Sequence, residues 1–277
     1  MNKKILIFSI IIIALFTGCN KNKDFCIHII DVGQADSILI TTQSNKNMLI
    51  DGGDENSAKI IKSYLKNKKV KTLDVVVATH PDSDHIGSLD DIIDNFDVEK
   101  IYMPKQTTNS ECYINLIDSC NKKNLKVNYL SKDDSFDLDK YTEIYVLSPD
   151  YITDNNNSNS IVLNISYKNN NFLFTGDCEE SNEMDMINSY DLENIDFLKV
   201  AHHGSSTSSS LEFLKEISPS IAVISCGYKN DYGHPHRSTL QNLESVNAKV
   251  FRTDVNGSKQ IYSDVNKIYS TIKYKQE

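Results

Sequence analysis

The 277-residue sequence predicts one mixed α/β (α+β) domain made of two sheets packed face to face with helices outside. Three observations carry this expectation. Strand-like and helix-like segments alternate along the chain. One strand–turn–strand–helix–strand unit occurs twice, and aspartates and histidines stand at matching strand ends in both copies.

Hydrophobic periodicity places each element in order. Apolar runs and period-2 alternation mark strands at 25–30, 36–41 and 47–51, and a period near 3.6 marks a helix over 56–67. The run Val75-Val76-Val77-Ala78 gives a strand at 74–79, followed by a helix over 85–94, a strand at 100–103, a helix over 110–123 and a strand at 126–130. The second half continues with strands at 143–147, 160–167 and 171–175, with "NNNSN" at 155–159 as a loop. Then come a helix over 179–190, a strand at 197–201, a helix over 209–217, a strand at 220–225 and a helix over 236–245. Strands at 249–252, 258–262 and 267–273 end the series. Segments 104–112, 131–140 and 226–233 carry no motif and are expected to line a pocket as loops.

The repeat is explicit. "DSILITTQSNKNMLIDGG" (36–53) is echoed by "NSIVLNISYKNNNFLFTGD" (159–177), each a strand, a polar turn and a second strand ending at Asp51 or Asp177. "DVVVATH" (74–80) is echoed by "DFLKVAHH" (196–203), so His80 and His202 leave equivalent strands. Asp51, His80, Asp177 and His202 are therefore expected on one rim, at the seam between the halves.

Composition is that of a globular protein, with 39% hydrophobic and 24% charged residues. The net charge of −9 excludes a generally basic, nucleic-acid-binding surface. A polyanionic substrate would need a local basic patch or bound cations, although 14 tyrosines offer rings for base stacking. At the N-terminus, Lys3 and Lys4 precede an apolar run from Ile5 to Gly18 that is short for a membrane span. Its end, "LFTGC", resembles a bacterial lipoprotein signal with Cys19 lipidated, although Phe16 stands where leucine is usual. The alternative is an uncleaved N-terminal anchor. Either places the protein outside the cytoplasm, tethered to the cell membrane: signal 1–19, short tether 20–24, domain 25–277. Cys26, Cys112, Cys120, Cys178 and Cys226 fit no zinc spacing. A Cys112–Cys120 pair is open in an oxidising compartment, and five buried thiols are the stronger expectation.

The chemistry concentrates in "THPDSDHIGS" (79–88), where His80, Asp82, Asp84 and His85 form H-x-D-x-D-H directly after an apolar strand. One such loop is compatible with a solvated turn. That reading weakens because "FTGDCE" sets Asp177, "VAHHGSS" sets His202 and His203, and "YGHPH" sets His234 and His236 beyond other apolar strands. His28 lies inside an apolar strand and reads as a satisfied core or edge histidine. His80, Asp82, Asp84, His85, Asp177 and His234 suffice to ligate two adjacent divalent cations. Gly204 and Ser205 can turn backbone N–H groups toward a phosphate oxygen, and His236, which opens a helix, is a weaker candidate for a supporting or substrate-facing role.

H-x-D-x-D-H, G-D, H-H-G-S and G-H-P-H in that order, with "IHIIDVGQADSILI" and "LIDGG" at the start, resemble the metallo-β-lactamase fold. The similarity is strongest to the hydrolase domain of ComEC-type DNA-uptake proteins and their stand-alone relatives, over roughly residues 25 to 262. The resemblance implies a four-layer αββα sandwich and two divalent ions, Zn2+ or Mn2+. His80 and Asp82 would serve one ion, Asp84 and His85 the other, with Asp177 bridging, His234 as last ligand and Asp51 in support behind. Asp82 stands where most of the superfamily has histidine, and no histidine lies between His85 and His202. Asn159 or Ser160 stands near that missing ligand's place, which leaves one ion with fewer ligands. These departures also point away from a lactonase or β-lactamase. The resemblance assigns catalysis to His202, His203 and Asp84, one of the two histidines ligating and the other donating a proton.

The function expected is an extracytoplasmic metal-dependent phosphodiesterase or nuclease acting on DNA through a metal-bound hydroxide. One alternative is a surface phosphodiesterase on small substrates such as phosphorylcholine esters. Another is a metal-stabilised, non-catalytic binding component of a DNA-uptake or envelope assembly.

Overall fold

Alternation inside apolar strands decides the architecture. In the segment 38–41, Ile38 and Ile40 enter one buried cluster and Leu39 another. Met48 and Ile50 separate from Leu49 in the same way, and Val75 and Val77 from Val76. Strands apolar on both faces must be covered on both faces, which requires layers on either side.

The computed structural model describes residues 25–270. The expected leader with Cys19, the expected tether and residues 271–273 of the last expected strand lie outside the described residues. Strands of the first half are β1 (Phe25–Ile29), β2 (Ile38–Thr41), β3 (Asn47–Ile50), β4 (Thr72–Leu73), β5 (Val75–Val77), β6 (Asp97–Val98), β7 (Ile101–Met103) and β8 (Val127–Tyr129). The chain continues through β9 (Ser135–Asp139), β10 (Thr142–Ser148), β11 (Val162–Tyr167), β12 (Asn170–Phe174), β13 (Phe197–Lys199), β14 (Ile221–Ile224), β15 (Lys249–Arg252), β16 (Lys259–Ser263) and β17 (Ile268–Ser270). The helices are α1 (Ala58–Asn67), α2 (Ser83–Ile86), α3 (Leu89–Asn95), α4 (Glu111–Lys122), α5 (Glu180–Ser189), α6 (Leu211–Ile217), α7 (Arg237–Ser245) and α8 (Thr253–Asn256).

One sheet runs β17-β16-β1-β2-β3-β5-β7-β8 and the other β15-β14-β13-β12-β11-β10-β9, with β4 and β6 pairing separately. Ile27, Ile40 and Ile50 of the first sheet share a core with Ile165, Phe174 and Phe197 of the second. Leu39 and Leu49 on the first sheet's outer face meet Ile61 of α1, Ile92 of α3 and Leu116 of α4. Leu173 and Leu198 on the second sheet's outer face meet Met186 of α5, Phe213 of α6 and Leu243 of α7. The result is the expected αββα sandwich.

The repeat survives in the topology. β2 and β3 form an antiparallel hairpin and β5 lies parallel to β3; β11 and β12 form an antiparallel hairpin and β13 lies parallel to β12. Three elements differ from expectation. The helix over 85–94 is two pieces, α2 and α3, broken at Gly87, where any side chain would strike the Ser83 carbonyl and the backbone of Asp54 and Glu55. The strand at 197–201 stops at Lys199, because Ala201–Gly204 forms a turn of 3-10 type. Within 131–140, Ser135–Asp139 is the edge strand β9 rather than loop. The five described cysteines are buried and form no disulfide among the described residues.

Candidate metal centre

The four strand ends of the repeat supply the site. Asp51 follows β3, Thr79 and His80 follow β5, Asp177 follows β12, and His202 and His203 follow β13. Asp51 carries φ +61°, a left-handed turn that reverses the chain at the strand end, and its backbone N–H is held by the Val77 carbonyl at 2.9 Å. Its carboxylate accepts from the Thr79 N–H and the Thr79 hydroxyl, both at 2.8 Å.

These bonds fix histidine tautomers. His85 Nδ1 donates to Asp51 Oδ2 at 2.8 Å, so Nε2 is the ring atom left to face Asp177 Oδ1, 3.2 Å away. The Thr79 hydroxyl gives its hydrogen to Asp51, so it can only accept from His80 Nδ1, 3.2 Å away. His203 Nδ1 donates to the Ser225 carbonyl at 3.0 Å, which leaves Nε2 toward Asp84 Oδ2 at 3.2 Å and Asp177 Oδ2 at 3.6 Å. His85 and His203 thus turn Nε2 toward Asp177, and His80 turns Nε2 toward Asp82.

Ligand atoms of Asp84, His85, Asp177 and His203 lie within 4.8 Å of one another. His80 Nε2, His85 Nε2 and Asp177 Oδ1 are buried without a hydrogen-bond partner. Buried polar atoms left so cost about 1–3 kcal/mol each, and bound cations would offset that cost at His85 Nε2 and Asp177 Oδ1, which lie 3.2 Å apart, and at His80 Nε2 beside Asp82. The mixed imidazole and carboxylate donor set suits a divalent transition-metal ion. The cluster is able to bind metal on this chain's own geometry.

Its electrostatics agree. Burial opposes charge on Asp177, but His85 and His203 overcome it and hold the carboxyl well below the usual range. Burial likewise opposes charge on His85, but Asp177 and Asp51 raise its proton affinity well above normal. His203 is also raised, by Asp177, Asp84 and Asp36 against its burial. Without a metal, protons on these two rings hold the carboxylates together; cations binding at Nε2 would displace them.

The remaining expected residues are placed as follows. Asp82 Oδ2 is 3.5 Å from His80 Nε2, and Asp82 Oδ1 accepts from Asn156 at 2.5 Å. Ser160 lies beside His80 Nδ1 at 3.3 Å and its hydroxyl accepts the Asp177 N–H at 3.0 Å. Asn159 points elsewhere: its side-chain amide pairs with both the N–H and the carbonyl of Thr153 and ties that loop. His202 is outside the four-residue group; its Nδ1 meets Thr207 Oγ1 at 3.2 Å, and Nε2 is 3.8 Å from Asp177. Burial lowers its proton affinity, with Asp177 opposing. His234 is also outside that group, its ring centroid 6.3 Å from that of His203. Burial and the neighbouring histidines push it down to about 4. His236 Nδ1 accepts the Ser206 N–H at 2.8 Å, and the His236 backbone N–H donates to the Gly204 carbonyl, so it fixes the turn. Ser205 accepts the Thr239 hydroxyl through its carbonyl. Asp82, Asp84, Asp177, His202, His203 and His234 line one cleft of about 170 Å³.

The motifs did not single out Gln34, Asp36, Asn156, Asn157, Lys199 or Tyr232. Gln34, Asn157 and Tyr232 line the same cleft. Lys199 Nζ meets Asp36 Oδ2 at 2.7 Å, with both side chains about 1% exposed, and Asp36 Oδ1 lies 3.8 Å from His203 Nδ1. The available signal was one lone charge at each of two apolar runs, Asp36 before "SILI" and Lys199 inside "FLKVA", since buried charges need partners.

The sequence matches the family model of the metallo-beta-lactamase superfamily over residues 30–114 and 121–228. The chain belongs to the metallo-beta-lactamase superfamily. It is 29% identical over 252 residues to ComE operon protein 3 of Bacillus subtilis, covering 84% of this chain and 32% of that protein. It is 28% identical over 233 residues to competence protein ComA of Neisseria gonorrhoeae, covering 83% of this chain and 31% of that one. The chain therefore spans about a third of the length of these curated relatives. The metallo-beta-lactamase fold protein YhfI of Bacillus subtilis superposes with a TM-score of 0.58 at 14% identity, covering 90% of this chain and 100% of that one, which shows the shared fold. A metallo-beta-lactamase fold is generally that of a metal-dependent hydrolase, and this member carries a metal-binding cluster with competence proteins among its homologues.

Proposed function

We propose that the protein is an extracytoplasmic, metal-dependent phosphodiesterase whose leading substrate is DNA. The observation that carries the reading is the cleft itself, in which Asp84, Asp177 and His203 of the four-residue ligand group stand beside two imidazoles, His202 and His234, that lie outside the group. A competence protein among the relatives favours DNA over other phosphodiesters. Asp84, His85, Asp177 and His203 would hold one divalent cation, and His80 and Asp82, sharing Asp177, a second and weaker one. Bound Zn2+ or Mn2+ supplies Lewis-acid charge and a nucleophilic water at neutral pH. Asp51 orients His85, and Thr79 orients His80. His202 moves a proton through Nε2 to the leaving oxygen; a bound phosphate's negative charge restores the proton affinity that burial lowers. A lipid on Cys19 would hold the site outside the membrane, and an intact Met1 in membrane-extracted protein would contradict that part.

The test is hydrolysis of bis-p-nitrophenyl phosphate, single- and double-stranded DNA and phosphorylcholine esters, with and without Mn2+ or Zn2+. Metal-dependent DNA cleavage is expected. His202→Ala should keep its metal and lose about 10²–10⁴-fold in turnover of DNA, with a smaller loss for the p-nitrophenolate ester, which needs little protonation. A metal-loaded but inert protein would overturn the enzymatic reading in favour of binding, and cleavage of phosphorylcholine esters alone would overturn the choice of DNA.

A further inference from the structure

His234 is wired the opposite way from His85 and His203. Gln34, in the loop between β1 and β2, accepts the Gly227 N–H on Oε1 at 3.0 Å. A backbone N–H only donates, so the oxygen of that amide must lie there and cannot be exchanged with the nitrogen. The Gln34 NH2 group then faces His234 Nδ1 at 3.2 Å. An NH2 group also only donates, so Nδ1 must present a lone pair. The neutral ring therefore carries its hydrogen on Nε2. In His85 and His203 the hydrogen held by a neighbour is the one on Nδ1, and Nε2 is the nitrogen turned to the cation site.

The arrangement is held from several sides. The Asn230 side chain bridges the His234 backbone, accepting its N–H at 2.9 Å and donating to its carbonyl at 2.6 Å. The Tyr232 ring stacks on the imidazole at 5.6 Å between centroids, and His236 meets it edge-on at 4.8 Å. The ring is thus kept in the cleft beside Asp84, Asp177 and His203. A nitrogen that keeps its hydrogen cannot ligate a cation through that atom, and an N–H beside a cation site is suited to an anion that the cation attracts.

We propose that Gln34 fixes His234 in the Nε2–H tautomer, so that His234 donates a hydrogen bond to an anionic oxygen of a phosphate group at the metal centre instead of ligating a cation. The phosphate half rests on the phosphodiesterase reading; the tautomer half does not. Gln34 is a positioning residue. The ligand that the G-H-P-H motif was expected to supply comes instead from His203 of H-H-G-S.

The experiment is 15N NMR of histidine-labelled full-length protein near pH 7.5, before and after zinc loading, with binding of inorganic phosphate measured in parallel. His234 should show protonated Nε2 and unprotonated Nδ1 in both states. His234→Ala should retain the wild-type zinc stoichiometry and bind phosphate about 10–100-fold more weakly, the range for one hydrogen bond to a charged group. Gln34→Glu, whose carboxylate can still accept from Gly227, should move a proton onto Nδ1, a change that mere loosening of the loop would not produce. Loss of the Nε2 hydrogen on zinc loading, or loss of zinc from His234→Ala, would overturn the tautomer assignment. Unchanged phosphate binding in His234→Ala would overturn the donor role. None of these readouts needs turnover, so a wild-type protein that hydrolyses nothing would count against the proposed activity and leave this assignment standing on its own results.

Discussion

His28 shows what burial does to an imidazole with no carboxylate beside it. It bonds Tyr64 Oη and Thr41 Oγ1, both at 3.2 Å, and burial, helped by the Lys68 charge, lowers its pKa from 6.5 to about 3. The folded value lies below the unfolded one, so the unfolded chain takes up the proton first. Stability from this residue is complete above pH 6.5 and is lost progressively as pH falls toward 3. Between pH 7 and pH 5 the loss is about 2 kcal/mol. His28→Gln should flatten that limb, read as the difference between urea-unfolding free energies at the two pH values; an unchanged slope would assign the acid sensitivity elsewhere. Residues of this kind were legible in sequence when several stood together. The four ligand residues within 80–85 announced themselves, whereas Gln34 and Gly227 are each ordinary and become a device only when chain-distant loops meet.

At the scale of elements, the turn after β13 does the most. His202 and His203 both hold left-handed backbone, φ +48° and +53°, at about 1–2 kcal/mol each. The turn is held by the His202 N–H to the Gly176 carbonyl at 3.1 Å and the Ser205 N–H to the His202 carbonyl at 2.8 Å. Gly204 closes it at φ +84°, where a Cβ would lie 2.5 Å from Cβ of Pro235. Gly204→Ala should therefore lower the thermal midpoint by several degrees and weaken zinc binding through displaced His203. Gly257→Ala is the control: φ is +62° there too, but nothing lies within 4 Å, so only backbone strain of about 1–3 kcal/mol is expected, with no displaced ligand. Equal effects in both variants would mean that contact with Pro235 is immaterial. Apolarity alone carries this strand on to residue 201, because "FLKVA" is apolar enough to continue. Periodicity reports burial and is silent on the backbone reversal that ends a strand. The same silence joined α2 to α3 across Gly87, and the acidic "SFDLD" of β9 hid an edge strand behind loop-like composition.

Over the whole molecule, Lys199 on the second sheet and Asp36 on the first sheet's side form a buried bridge beneath the cleft. Burial opposes charge on Asp36, and Lys199 first, then His203, hold its carboxyl below the usual range. Removing one partner strands the other: Lys199→Met should cost roughly 3–5 kcal/mol, and adding Asp36→Leu should recover most of it. A double variant no more stable than the single one, by urea unfolding, would show that the bridge is not the source. The repeat made the two-sheet plan readable because both halves end their strands on the same kinds of residue. It did not reveal that the last hairpin, β16 and β17, returns to the first sheet and pairs with β1, since alternating apolar residues suit either sheet edge.

The ligand group draws Asp84 and His85 from one side of the sandwich and Asp177 and His203 from the other. An unfolded chain holds the two pairs far apart, so cations that prefer the assembled group act by mass action on folding itself, adding about 2.7 kcal/mol at a hundred times their dissociation constant. Scarcity of metal would then be felt twice, as lost chemistry and as a larger population of open chains exposed to proteases. Abundance of the protein would track the supply of the ion.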